Sequence, residues 1–129
     1  MDLKSGIIKI NGEIFAPGYT FEDFQRSTFF EGQDAVRIIR LNDTVKIGGN
    51  NFITSLFFRN KILYMLSMMC VDIDIPFSEE IKRKQFHDAI LAKNGLSPET
   101  FFDWGNIKSV YDPKGNVSSI NICLLYTSP

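Results

Sequence analysis

The stretch "FITSLFFRNKILYMLSMMCV", Phe52 to Val71, is the longest apolar run in the chain, and Arg59-Asn60-Lys61 breaks it in the middle. A membrane-spanning helix through this run would have to bury two charges near its centre. Two strands and a turn account for it better. The first half is β-branched and aromatic, the composition of a strand. The second half is rich in Leu and Met, which by propensity favour a helix. Its partner's composition and the tight turn put it in a strand nonetheless. The two longest strands are therefore predicted at 52–58 and 61–71, joined at Arg59-Asn60, and no membrane association is expected.

The flanking sequence adds shorter elements. Strands are predicted at about 7–10 and 13–16 around Asn11-Gly12, a strong hairpin signal because both turn positions need positive φ. Pro17-Gly18 closes this unit. Thr20 can cap a helix of about two turns, with Glu22 and Asp23 in its first turn and Phe21 and Phe24 on one face. "AVRIIRL" and "VKI" read as strands before the turn-like "GGNN" at 48–51. "VDIDIP" alternates strictly and predicts a strand with Asp72 and Asp74 on one side and Ile73 and Ile75 on the other. A long helix is predicted over 78–94, capped by Ser78 and stopped by Asn94-Gly95, with Ile81, Phe86, Ala89, Ile90 and Ala92 on its packed side. "SPETFFDWG" predicts a short helix with Ser97 as cap and Pro98 at its first position. Asp112-Pro113-Lys114-Gly115 suits a type I turn between two strands. The preferred register pairs Ile107 with Ile120 and Val110 with Val117; a slip of one residue would flip the faces.

Strands joined by hairpins, rather than alternating with helices, predict an α+β fold: a mainly antiparallel, meandering sheet with the long helix on one face and a short helix near the start. A chain of 129 residues is one ordinary domain, and no linker or repeat divides it. At this size folding buries roughly two-thirds of the unfolded surface, so no disulfide or metal staple is needed. The 44% hydrophobic content, including 12 Phe, is ample core material. With 14 basic against 15 acidic residues, the chain lacks the footprint of a nucleic-acid or membrane-surface protein. "MDLKSG" has no apolar h-region, and only two cysteines occur. A cytoplasmic protein with reduced thiols is expected. The abundance of Asn, Lys, Ile and Phe suits the AT-rich codons of a low-GC bacterium.

Candidate chemistry is sparse. His87 is the only histidine and falls on the helix side away from most apolar positions, so a solvated histidine is expected. With so few His and Cys, no zinc site of ordinary spacing can be built. Cys70 is expected to be a buried, inert thiol. Asp72 and Asp74 could hold Mg²⁺ with substrate phosphates, but a solvated face or an acidic docking patch is the better reading. "KIGGNN" lacks phosphate-loop spacing, and no cofactor is expected. Lys82-Arg83-Lys84 reads as a solvent face rather than a nucleic-acid site. "FFDWG" reads mostly as core beneath the last hairpin. Trp104 and Tyr111 are the aromatic candidates for a partner surface.

In size, lack of catalytic residues and order of elements, with "WGNIKSVYDPKG" as its most characteristic stretch, the chain resembles small bacterial immunity proteins that neutralise polymorphic or contact-dependent toxins. The resemblance implies tight one-to-one binding of a toxin domain, often through acidic residues when the toxin is a basic nuclease. The acids on offer are Glu22, Asp23, Glu31, Asp34, Asp72 and Asp74, and charge complementarity would steer the encounter. A small-ligand-binding or enzymatic domain with an apolar pocket is the alternative, and a structural or phage-borne assembly protein a third.

The ending "CLLYTSP" resembles a translated transposase sequencing adapter. The codons TGT CTC TTA TAC ACA TCT CC(N) spell Cys123 to Pro129, and the adapter's preceding C fits an ATC codon for Ile122. On this reading the native domain is 1–122 and 123–129 is a non-native tail; the other reading is a genuine strand "SINICLLY".

Overall fold

The computed structural model describes residues 3–33 and 37–125. The fold is α+β and mostly sheet. The central hairpin forms, but its turn falls at Asn60-Lys61, one residue later than the expected Arg59-Asn60: β5 (Asn50–Arg59) pairs antiparallel with β6 (Ile62–Cys70). One extra residue, Tyr64, sits in a bulge between Phe57 and Phe58 of the facing strand. Phe52, Leu56, Leu63, Leu66 and Met68 on the inner face are fully buried. Burial of each such side chain contributes roughly 1.5–3 kcal/mol, which offsets the helical preference of the Leu- and Met-rich half.

At one edge, β3 (Ile38–Arg40) and β4 (Val45–Ile47) both pair with β5. On the other side of the hairpin, β9 (Val117–Leu124) pairs with β6, followed by β8 (Gly105–Asp112) and β7 (Glu99–Phe102). Every pairing is antiparallel. A separate two-stranded sheet, β1 (Ile8–Ile10) and β2 (Glu13–Phe15), turns at Asn11-Gly12, both at positive φ as expected. Thr20 caps α1 (Phe21–Gln25) in a reciprocal capping box with Asp23. The rings of Phe21 and Phe24 meet Phe58 of the central hairpin.

Three local expectations give way to tertiary pairing. "VDIDIP" is not a strand: the Val71 N–H still donates to the Asn51 carbonyl at 2.9 Å, but β5 starts at Asn50, so from Ile73 onward the segment faces no strand, and alternation without a partner makes no ladder. Asp72 instead accepts hydrogen bonds from the backbone N–H and side-chain amide of Asn51. "SPETFFDWG" holds no helix. Its Thr100, Phe101 and Phe102 pair with β8 across a two-residue turn at Asp103-Trp104, and Ser97 bonds to Glu99 and Thr100 rather than capping. In the last hairpin Ile107 faces Ile122 and Asp112 faces Val117, a register two residues from the expected one. The turn takes four residues, with Asn116 at positive φ and the Asp112 carboxylate accepting from the N–H of Lys114. An even slip keeps each side chain on its face, so Ile107, Ile120 and Ile122 remain fully buried.

The long helix α2 spans Ile81–Lys93, after a 3₁₀ turn at Phe77–Glu79 that contains Ser78; its N-cap is Glu80, without a side-chain cap. Its packing face is not the most apolar one. Ile81, Ala89 and Ala92 are exposed, whereas His87, Ile90 and Leu91 are buried. The reason lies in the sheet. The β6–β9 ladder is paired from Met65/Cys123 to Met68/Ile120, and the same register would set Cys70 opposite Ser118. There α2 supplies the partners. His87 Nε2 accepts from the Cys70 N–H at 3.0 Å, and Arg83 donates to the Cys70 carbonyl. The Glu80 carboxylate accepts from the Ser118 N–H at 3.2 Å and pairs with Arg83 at 2.9 Å. The Ser118 hydroxyl donates to the Glu80 carbonyl. Glu80, Arg83, His87 and Ile90/Leu91 recur at helical spacing, so the buried stripe is polar at one end and apolar at the other.

His87 is therefore buried, not solvated. Its Nδ1 has no partner among the described residues. Burial, then the Arg83 charge, holds its pKa down to about 4 from an ordinary 6.5. The unfolded chain takes up a proton below pH 6.5 while the native state stays neutral until about 4. Stability is thus intact above 6.5 and falls across this window, by about 3 kcal/mol in all if the full depression is expressed. We predict that His87→Gln, compared with the parent by urea denaturation at pH 7 and pH 4.5, removes much of the acid-side loss. His87→Leu leaves the Cys70 N–H unpaired and is predicted to cost about 1–3 kcal/mol at pH 7.

Candidate functional site: an open sheet face and a cationic cleft

The helices and the β1–β2 hairpin pack on one face of the large sheet. Ile90 and Leu91 of α2, Phe21 and Phe24 of α1, and Ile8, Ile10 and Phe15 all join its single core. No helix among the described residues lies on the other face. The registers place residues there in straight rows, because directly opposed residues share a face. One row is Ile38–Phe57–Met65–Cys123–Asn106–Phe101, apolar except for Asn106 and crossing six strands from edge to edge. Its ends are open: Ile38 is 53% and Phe101 65% exposed. The neighbouring row is polar, Arg40–Ser55–Ser67–Asn121–Lys108–Glu99. Asn121 accepts from the Ser67 hydroxyl at 2.8 Å, which stiffens its centre. Ile53 and Met69 begin a third row.

At the turn end of the central hairpin this face borders an open cleft of about 960 Å³. Arg37, Arg59 and Lys61 line it with Ile38, Phe58 and Tyr64. None of the three cations forms an ion pair among the described residues, whereas Arg26, Lys82, Arg83, Lys84 and Lys108 all do. The Arg59 guanidinium lies 4.4 Å from the Tyr64 ring centroid. The cleft is well braced. The Phe21 N–H donates to the Lys61 carbonyl, the Leu63 N–H to Tyr19 and the Phe58 N–H to Arg37, each at 2.8 Å.

The residues singled out from sequence are placed as follows. Glu22 pairs with Arg26, Asp23 caps α1, Glu31 accepts from Asn42, and Asp72 is held by Asn51. Asp74 is exposed beyond the end of β6, and Asp34 lies outside the described residues. These acids sit on separate elements, most of them in local bonds. Trp104 stacks on Phe102 at 4.9 Å and donates from its indole N–H to the Lys4 carbonyl. Gly6 lies beneath that ring, where a Cβ would come within 2.6 Å of it. Tyr111 donates to Asn116. Both aromatics are half-buried and serve local packing. Of Lys82-Arg83-Lys84, only Lys82 faces solvent as expected; Arg83 is largely buried against Glu80.

The nucleophile candidate stays inert. Cys70 is fully buried, and burial pushes its thiol above the ordinary range. Its Sγ lies 3.6 Å from an Asp72 carboxylate oxygen, a neighbour that disfavours the thiolate further. His87 meets the backbone of Cys70 and accepts from its N–H. Among the described residues no three His, Cys, Asp or Glu side chains come together as a metal site. Cys123 and Leu124 continue β9, and Tyr126–Pro129 lie outside the described residues.

Neither a protein-family model, nor a curated protein, nor a solved structure matches the chain. The site therefore has to be read from its own geometry. The open face and the cleft were missed from sequence because Arg37, Arg59 and the apolar row meet only through strand pairing. The Asn60-Lys61 turn takes φ of 52° and 64°. A two-residue turn with both φ positive prefers glycine second, as in Asn11-Gly12. A lysine there costs about 1–2 kcal/mol of backbone strain. Lys61→Gly is predicted to raise stability by about 1 kcal/mol, read as a melting temperature higher by roughly 3–5 °C.

Proposed function

We propose that this chain is a non-catalytic protein-binding module of the bacterial immunity type, which holds a toxin domain against its open sheet face. The observation that carries the reading is the apolar row across six strands, open at both ends and bordered by a polar row that is neutral at its centre and charged at its ends. An apolar strip of this length with a polar margin is the pattern of an interaction surface. The inert Cys70 and the backbone-bound His87 support a binding role over a catalytic one. An enzymatic or small-ligand domain wants an enclosed pocket; the cleft lined by Arg37, Arg59 and Lys61 is open to solvent.

The test is co-expression with the product of the adjacent gene, scored both as protection from its toxicity and as a measured dissociation constant. We predict a one-to-one complex weakened at least about 100-fold by Phe57→Glu or Met69→Glu, since burying an unpaired charge costs several kcal/mol. Lys82→Ala, on the opposite side of the fold, should leave it unchanged. A locus without a toxin, or a complex indifferent to both face variants, would sink the proposal.

A further inference from the structure

We infer that the cleft at the β5–β6 turn seats carboxylate groups of an acidic segment of the partner protein, an assignment that rests on the protein-binding reading above. The chain has a net charge of -1, yet three cations with no ion pair among the described residues line this one cleft. Guanidinium forks match carboxylate oxygens, and the Tyr64 ring, 4.4 Å from the Arg59 guanidinium, holds that cation in the cleft. The backbone bonds to Tyr19, Phe21 and Arg37 fix the walls before any ligand arrives, which lowers the ordering cost of binding. Lys61 keeps a charged side chain at a turn position where glycine is the less strained residue. The cleft also runs into the open face. Ile38 belongs to both its lining and the apolar row, and the Tyr64 ring meets Phe57 of that row at 6.2 Å. A partner strip lying on the row would thus deliver its acidic end into the cations.

Phosphate would also suit guanidinium, but a nucleic acid needs cations spaced along its backbone and exposed rings for stacking. Beyond the cleft the polar row carries two cations, Arg40 and Lys108, at opposite ends of the neutral run Ser55, Ser67 and Asn121, and Lys108 pairs with Glu99 at 4.0 Å. An acidic peptide is the better fit.

The experiment titrates the full chain with a five-residue synthetic peptide alternating glutamate and leucine, followed by amide NMR shifts. Saturable shifts are expected at Arg59, Lys61 and Tyr64, with affinity falling as salt rises. The combination of Arg59→Gln with Lys61→Gly should weaken binding about tenfold, a loss of about 1.4 kcal/mol; unchanged core shifts would show that the fold survives. The glutamine analogue of the peptide should not bind. Absence of saturation, shifts elsewhere, or tighter binding of an oligothymidylate of equal charge would overturn the inference. The toxin complex separates this idea from its parent. A complex lost on Phe57→Glu but indifferent to Arg59→Gln and Lys61→Gly overturns the acidic-segment assignment alone. Saturable peptide binding with no toxin complex overturns the module reading and leaves the cleft's chemistry standing.

Discussion

The junction of α2 with the sheet is the constraint on which the rest of the molecule depends. Where the β6–β9 ladder ends, the N–H and carbonyl of Cys70 and the N–H of Ser118 are left inside the protein. An unpaired buried backbone group costs as much as several ordinary hydrogen bonds contribute. His87, Arg83 and Glu80 meet all three groups from a single helix face. This arrangement sets the rotation of α2 about its axis, overriding its apolar stripe and leaving Ile81 exposed. Arg83 and Glu80 also satisfy each other, so the charges enter the interior as a hydrogen-bonded pair. Nearly every polar atom in the junction is partnered, with His87 Nδ1 the exception among the described residues.

A one-sided architecture follows. With α2, α1 and the β1–β2 hairpin all gathered on the inner face, that face holds the core and its opposite remains open. Rows of paired side chains then run across it, and the bulge residue Tyr64 lines the cleft at the hairpin's turn end beside them. Bulges bend a strand and re-aim its side chains; here the bulge sets Tyr64 between Arg59 and Phe57. The open face is in this sense a consequence of where the helices pack, whereas the cationic cleft is built by α1 and the β5–β6 turn.

Much of the fold was legible along the chain because its signals are local. Asn11-Gly12, the Thr20 cap and the break at Arg59-Asn60-Lys61 each act through neighbours in sequence; the first two formed where expected, and the break turned the chain one residue late, at Asn60-Lys61. The failures share one cause. "VDIDIP" alternates but runs past the end of β5 after its first two residues, while Glu99–Phe102 looks helical at its start yet finds a partner strand in β8. His87 was misplaced because its role is set by the end of a ladder distant in sequence. The candidate site was less legible than the fold. The acids, Trp104 and Tyr111 are conspicuous in sequence but bound up locally, whereas Arg37, Arg59 and Lys61 are unremarkable until pairing joins them.

By itself, then, the sequence determined the class of fold, the central hairpin and the amount of core, since propensity, turn chemistry and apolar content act over a few residues. Tertiary structure decided which helix face packs, which register the last hairpin takes and which face of the sheet stays open. Those outcomes turn on satisfying buried backbone groups, and the partners of such groups are chosen in space rather than along the chain.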